Sequence, residues 1–130
     1  MSPDLSYLAY TALLTAALWI PYIVSQVVTN GFLIGENYVD PTPRPVPLWG
    51  QRANRAHLNA VESFAPFAVL VLIVHVAGKE NGMTAFLTMA FFWLRLLHAI
   101  VYLAGVPFVR TLVFTLGSVA TFGLFYEVIK

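Results

Sequence analysis

The sequence contains no cysteine. Disulfides, thiolate metal sites and a cysteine nucleophile are therefore excluded from the chain's own chemistry. Charge is nearly as scarce: Asp, Glu, Lys and Arg make up 10% of the 130 residues, against roughly 25% in a soluble domain. Seven Lys/Arg against six Asp/Glu leave a net charge of +1. No basic excess is available to neutralise phosphates, so a nucleic-acid-binding module is excluded. Apolar side chains fill the space instead, at 59% of the residues, with a mean hydropathy of +0.78; a disordered chain would be far more polar. What remains is an integral membrane protein, one domain over residues 1–130, small enough that a buried site calls for partner subunits.

A bilayer core takes about 20 mostly apolar residues as helix. Leu5 to Val28 carries no charge; it is too long for a signal-peptide core and reads as a retained span over about 5–28, kinked at Pro21. The connection from Thr29 to Pro47 holds prolines at 41, 43, 45 and 47, which forbid helix and favour an extended path. Ser63 to Ala77 is uncharged but too short to cross. A span over about 49–77 must therefore take in Arg52, Arg55, Asn59 and Glu62. Gly78-Lys79-Glu80-Asn81-Gly82 is a tight polar turn that makes spans two and three a hairpin. Span three, about 83–104, carries Arg95 and His98. Gly105-Val106-Pro107 turns the chain into span four, about 107–128, with Arg110 in its first turn. The fold class is all-α, a four-helix membrane bundle.

Arg44, Arg52, Arg55 and Arg110 lie on the side of the first and third connections, and Lys79 and Lys130 on the other. That excess puts the arginine side in the cytoplasm. An Arg or Glu at membrane depth costs about 2.5 kcal/mol or more, so such residues face the bundle interior or a wet cavity and mark functional sites. At 100° per residue, Arg52, Asn59, Glu62 and Pro66 all fall within about 60° of Arg55, while His57 lies opposite. Arg95, His98 and Tyr102 form a second stripe, with Arg95 at the depth of Glu62. A purely structural reading makes Glu62–Arg95 a buried ion pair and lets the remaining arginines snorkel. It explains poorly why four arginines converge with one carboxylate, an excess that an anionic ligand with carboxylates or a thiolate would neutralise. The three histidines have no metal-ligand spacing, and no serine triad is present.

At these residues the chain resembles the MAPEG family, the membrane-associated proteins in eicosanoid and glutathione metabolism. The segment from Arg52 to Pro66, RANRAHLNAVESFAP, resembles the family's R-A-x-x-N-x-x-E-x-x-x-P signature on its second helix. Arg95 to Tyr102 resembles the R-x-x-x-x-x-x-Y of the third helix. Arg110-Thr111 resembles the Arg-Ser/Thr pair that opens the fourth. The chain departs from the family pattern in having no Arg or Lys between Thr29 and Glu36, and Leu at position 58.

The resemblance implies a microsomal glutathione transferase-like protein assembled as a homotrimer, with glutathione at each subunit interface near the cytoplasmic side. It assigns Arg52, Arg55, Asn59, Glu62, Arg95, His98 and Tyr102 to glutathione binding, Glu62 facing the amino group and arginines the carboxylates. It assigns Arg110 to the thiolate and Thr111 to hydroxyl donation. A guanidinium at about 4 Å and an effective dielectric near 20 contributes about 4 kcal/mol, enough to populate a thiolate at neutral pH. The implied activity is transferase or peroxidase chemistry by thiolate attack on apolar electrophiles or lipid hydroperoxides drawn from the bilayer. The alternative is a non-catalytic protein of the same fold that binds a lipid or anionic metabolite. Neither reading calls for a metal or nucleic acid. The expected location is the inner (cell) membrane of a bacterium, with the active site on the cytoplasmic side.

Overall fold

The computed structural model describes the backbone of residues 1–130 and the side chains of all but Asn37 and Tyr38. Six helices follow in order: α1 Pro3–Ala17, α2 Trp19–Asn30, α3 Gly35–Val39, α4 Leu48–Val76, α5 Gly82–Ala104 and α6 Val109–Ile129. No strand is present among the described residues. α1 and α2 together make one 28-residue span, and α4, α5 and α6 are each long and apolar enough to cross a membrane. The four spans expected from the apolar stretches are all there, and the chain is an integral, multi-pass membrane protein by this architecture.

The break in the first span lies at Leu18, between α1 and α2. Pro21 has no N–H to give the carbonyl four residues back, and its ring crowds that carbonyl, so the ladder opens at Ala17 and Leu18. Thr11 and Thr15 donate back to the carbonyls of Tyr7 and Thr11 at 2.7 and 2.8 Å, contacts that themselves bend membrane helices. One element departs from the expected extended connection. Gly35–Val39 is a short helix that precedes the prolines, which confine the extended path to about 40–47.

α4 is the hub, packed against α1, α2, α5 and α6, while α5 and α6 share the most extensive contact. In a bilayer, helices associate through close packing rather than through expulsion of water, and small residues permit it. Gly50, Ala53, Ala56 and Ala60 supply such a face on α4. A Cβ at Gly50 would overlap the Ser25 side chain of α2. Deeper in, the rings of Phe67 and Phe91 stack at 3.8 Å and 9°, closed in by Val71, Ala120 and Leu124.

The ends of the bundle differ in chemistry. At the end holding the termini, Ser2 caps α1 and donates to Glu80 at 2.6 Å, and His75 meets the other Glu80 oxygen at 3.1 Å. Asn81 and Thr84 form a capping box that opens α5, satisfying donors the helix cannot. Glu127 accepts from Asn81 at 2.9 Å and pairs with Lys130 at 3.0 Å. The opposite end holds the arginines.

Candidate functional site

Arg95 is only 5% exposed although it stands near the middle of α5. One of its terminal nitrogens, Nη2, donates to Asn59 Oδ1 on α4 at 2.8 Å. Its Nε is buried with no hydrogen-bond partner among the described residues. The depth argument had paired Arg95 with Glu62. The structure instead gives it Asn59, one turn closer to the arginine-rich end, and no Glu62–Arg95 ion pair forms within 4.0 Å. Counting residues along antiparallel helices fixes depth to about a turn, and an arginine stem spans that distance easily.

Glu62 nevertheless shares a cavity with both. Asn59, Glu62, Ser63 and Arg95 form the polar wall of a cavity of about 300 Å³ between α4, α5 and α6, a volume suited to a small ligand. Phe91, Phe114 and Phe122 make its apolar wall, and Ser118 and Thr121 add hydroxyls. The α6 contribution was not singled out from sequence. Its signal is the spacing of Phe114, Ser118 and Thr121, which puts all three on one helical face.

The other predicted residues gather beside this cavity rather than within it. His98, 2% exposed, has its Nδ1 buried without a partner among the described residues. Its ring lies 5.5 Å from that of Tyr102 and 6.3 Å from Phe114, so Phe114 is shared between the cavity and the His98–Tyr102 pair. The Arg110 guanidinium sits over the Tyr102 ring at 4.7 Å, a cation–π contact that orients it. Thr111 is exposed in the first turn of α6. Arg52 reaches across the bundle end, its Nε donating to the Leu103 carbonyl at 3.2 Å, and its head packs on Gly105. Gly105 has φ +75° and closes α5 in the left-handed conformation that favours glycine. Arg55 is exposed on α4, two turns from Glu62 on the same helical face and outside the cavity lining.

Arg110 owes its position to an unusual connection. Val109 N–H donates to the Pro107 carbonyl at 2.7 Å across Phe108, which has φ 65° and ψ −49°. This is a three-residue γ-turn of the rare, strained kind. Strain of this sort is found where surrounding structure must aim a functional group, and Arg110 follows two residues later.

The arrangement offers a half-satisfied buried guanidinium, an unpaired carboxylate and an amide on one wall, aromatics on the other, and a second guanidinium held on a tyrosine face nearby. Among the described residues no group of three His, Asp or Glu side chains converges as metal ligands. Known proteins share part of this sequence. The chain is 32% identical over 81 residues to microsomal glutathione S-transferase 1 of Sus scrofa, and 31% identical over 81 residues to that of Bos taurus. Each match covers 62% of this chain and 52% of the relative, so the chain spans about half the length of the curated relatives it matches. The model of the MAPEG family matches residues 7–130, nearly the whole chain, and this protein belongs to that family.

Proposed function

We propose that the protein is a membrane-bound glutathione-dependent transferase or peroxidase that acts on apolar electrophiles or lipid hydroperoxides. The observation that carries the reading is the cavity wall of Arg95, Asn59 and Glu62. A buried guanidinium with an unpartnered Nε and a carboxylate without an ion pair share one site at membrane depth. Neither charge has an ion-pair partner within 4.0 Å in the chain. Glutathione carries the complementary set, an ammonium beside carboxylates, and the residues present fit it.

In this reading Glu62 holds the amino group, Arg95 and Asn59 a carboxylate, and Arg52, Arg55, His98 and Tyr102 complete the polar surround. Bound glutathione supplies the thiol that becomes the nucleophile. Arg110 stabilises the thiolate form, its guanidinium held in place by the Tyr102 ring, and Thr111 donates its hydroxyl. The phenylalanine wall receives the apolar substrate and excludes water, which strengthens the arginine's effect. We assign the site to the cytoplasmic side of the cell membrane from the arginine excess at that end.

The functional unit is a homotrimer in this proposal. Arg55 and Glu62 are both exposed on one face of α4, two turns apart in a membrane-spanning helix. Lipid is a poor neighbour for either, and a second copy covers them while completing the glutathione site. Calorimetric titration of glutathione into the detergent-solubilised protein tests the reading. Saturable binding that is lost in Arg95→Met supports it. Absence of glutathione binding, together with a thermal shift from lipids alone, would instead favour a non-catalytic lipid carrier of the same fold.

A further inference from the structure

A second cavity, of about 370 Å³, lies between the last turns of α2 and the proline-rich connection. The proposed function makes no use of it. A ladder of side chains along α2 ties the connection to the helix. Gln26 donates to the Tyr22 hydroxyl at 2.7 Å, and Asn30 donates to Gln26 at 3.0 Å and to the Pro45 carbonyl at 3.1 Å.

Two opposite charges line this cleft. Arg44 donates from Nη2 to the Glu36 carbonyl at 2.9 Å, and its Nε is buried with no partner among the described residues. Asp40 is exposed, and its Oδ1 accepts from the Thr42 N–H at 2.9 Å. Its carboxyl lies below the ordinary aspartate range, chiefly through that Thr42 backbone bond, with a smaller contribution from Arg44. The two charges are thus near enough to feel each other, yet they form no ion pair within 4.0 Å. Only three residues lie between them, and a flexible segment would let them collapse together. Pro41 and Pro43, the two prolines between them, fix φ on either side of the bend at Thr42 and limit that collapse.

The depth of the cleft says what meets it. At 1.5 Å per residue the 28-residue first span is about 42 Å long, whereas the hydrocarbon core is about 30 Å. The apolar run closes at Val28, so the end of α2 and the connection after it are placed at headgroup level in this proposal. Ile23 and Val27 line the cleft on its membrane side, and the exposed Phe32 and Leu33 line it too.

We propose that this cleft binds a zwitterionic phospholipid headgroup, its phosphate on Arg44 and its ammonium on Asp40, with an acyl chain along Ile23, Val27 and Leu33. The planar guanidinium matches a phosphate, and an exposed carboxylate accepts from a primary ammonium. The same Asp40 repels a headgroup that carries negative charge alone. The site is therefore selective for phosphatidylethanolamine over phosphatidylglycerol.

Native mass spectrometry of the full chain in detergent, titrated with each lipid, tests this. Phosphatidylethanolamine is expected to bind about tenfold more tightly than phosphatidylglycerol, the ratio that about 1.4 kcal/mol supplies. Asp40→Asn keeps the oxygen that accepts from Thr42 and removes only the charge, and it should bring the two lipids to near equality. Arg44→Gln should weaken phosphatidylethanolamine about tenfold. Glycerophosphoethanolamine, the same headgroup without acyl chains, should bind far more weakly than the lipid. Equal binding of that soluble head would overturn the lipid assignment. Wild-type protein that holds phosphatidylglycerol as tightly as phosphatidylethanolamine, or a preference unmoved by Asp40→Asn, would overturn the site.

Discussion

Asn59 illustrates how one side chain can serve structure and chemistry through different atoms. It gives buried Arg95 a hydrogen bond at 2.8 Å, and a bond to a charged group contributes about 1.5–3 kcal/mol. Asn59→Leu should therefore destabilise the fold by about that much, read as a lower melting temperature in detergent. Arg95→Met removes the charge while filling similar volume, and replacing a buried charge in this way is often neutral for stability. It should leave the melting temperature close to wild type while glutathione binding disappears. A fall in stability without loss of binding would make Arg95 a packing residue. Glu62 has no ion-pair partner within the protomer, so Glu62→Gln should weaken glutathione binding about tenfold with the fold unharmed.

The connections between helices are strained at one end of the bundle and pinned by side chains at the other. Phe108 holds a positive φ that costs of order 1–3 kcal/mol, and at 85% exposure it makes few contacts in return. Phe108→Gly should raise the melting temperature, because glycine adopts that backbone freely. It should also lower turnover by loosening the turn that aims Arg110. A lower melting temperature would show that no strain resides there. At the far end, Ser2 holds the Glu80 carboxyl below its ordinary value of 4.5, with a smaller contribution from His75. A carboxyl lowered by folding adds stability above its unfolded value, and that stability disappears as pH falls through the folded one. The gap in melting temperature between wild type and Ser2→Ala should accordingly be full at neutral pH and narrow, as pH drops below about 4.5, to the part left by the lost α1 cap. A gap that is constant with pH would detach Ser2 from Glu80. These elements were legible to different degrees. Long apolar stretches bounded by polar turns are long-range signals, so all four spans could be read from sequence even where they carry charges. The break at Leu18 follows from Pro21. The short helix at Gly35–Val39 has no such signal, because the prolines that follow it dominate the segment. The γ-turn at Phe108 is equally hidden, since nothing in a Val-Pro-Phe-Val run demands a positive φ from phenylalanine.

For the whole molecule, the stripe arithmetic on α4 and α5 placed Asn59, Glu62 and Arg95 correctly on facing surfaces, and they do share a cavity. Arg52, Tyr102 and Arg110 lie nearer the bundle end, and which wall α6 supplies depends on a packing that no single helix specifies. In the proposed trimer a neighbouring copy covers Arg55 and the outer face of Glu62, both exposed in the single chain. Light scattering in detergent should accordingly give three times the 14.4 kDa of one chain, and a monomer would contradict the assembly. All of this serves one purpose in the proposed mechanism, a thiol made acidic beside Arg110. The direct measurement is ultraviolet difference absorbance of glutathione bound at neutral pH, in wild type and in Arg110→Ala. The account predicts a thiolate band in the wild type that vanishes in the variant while binding persists. An equal band in both, or none in the wild type, would contradict it.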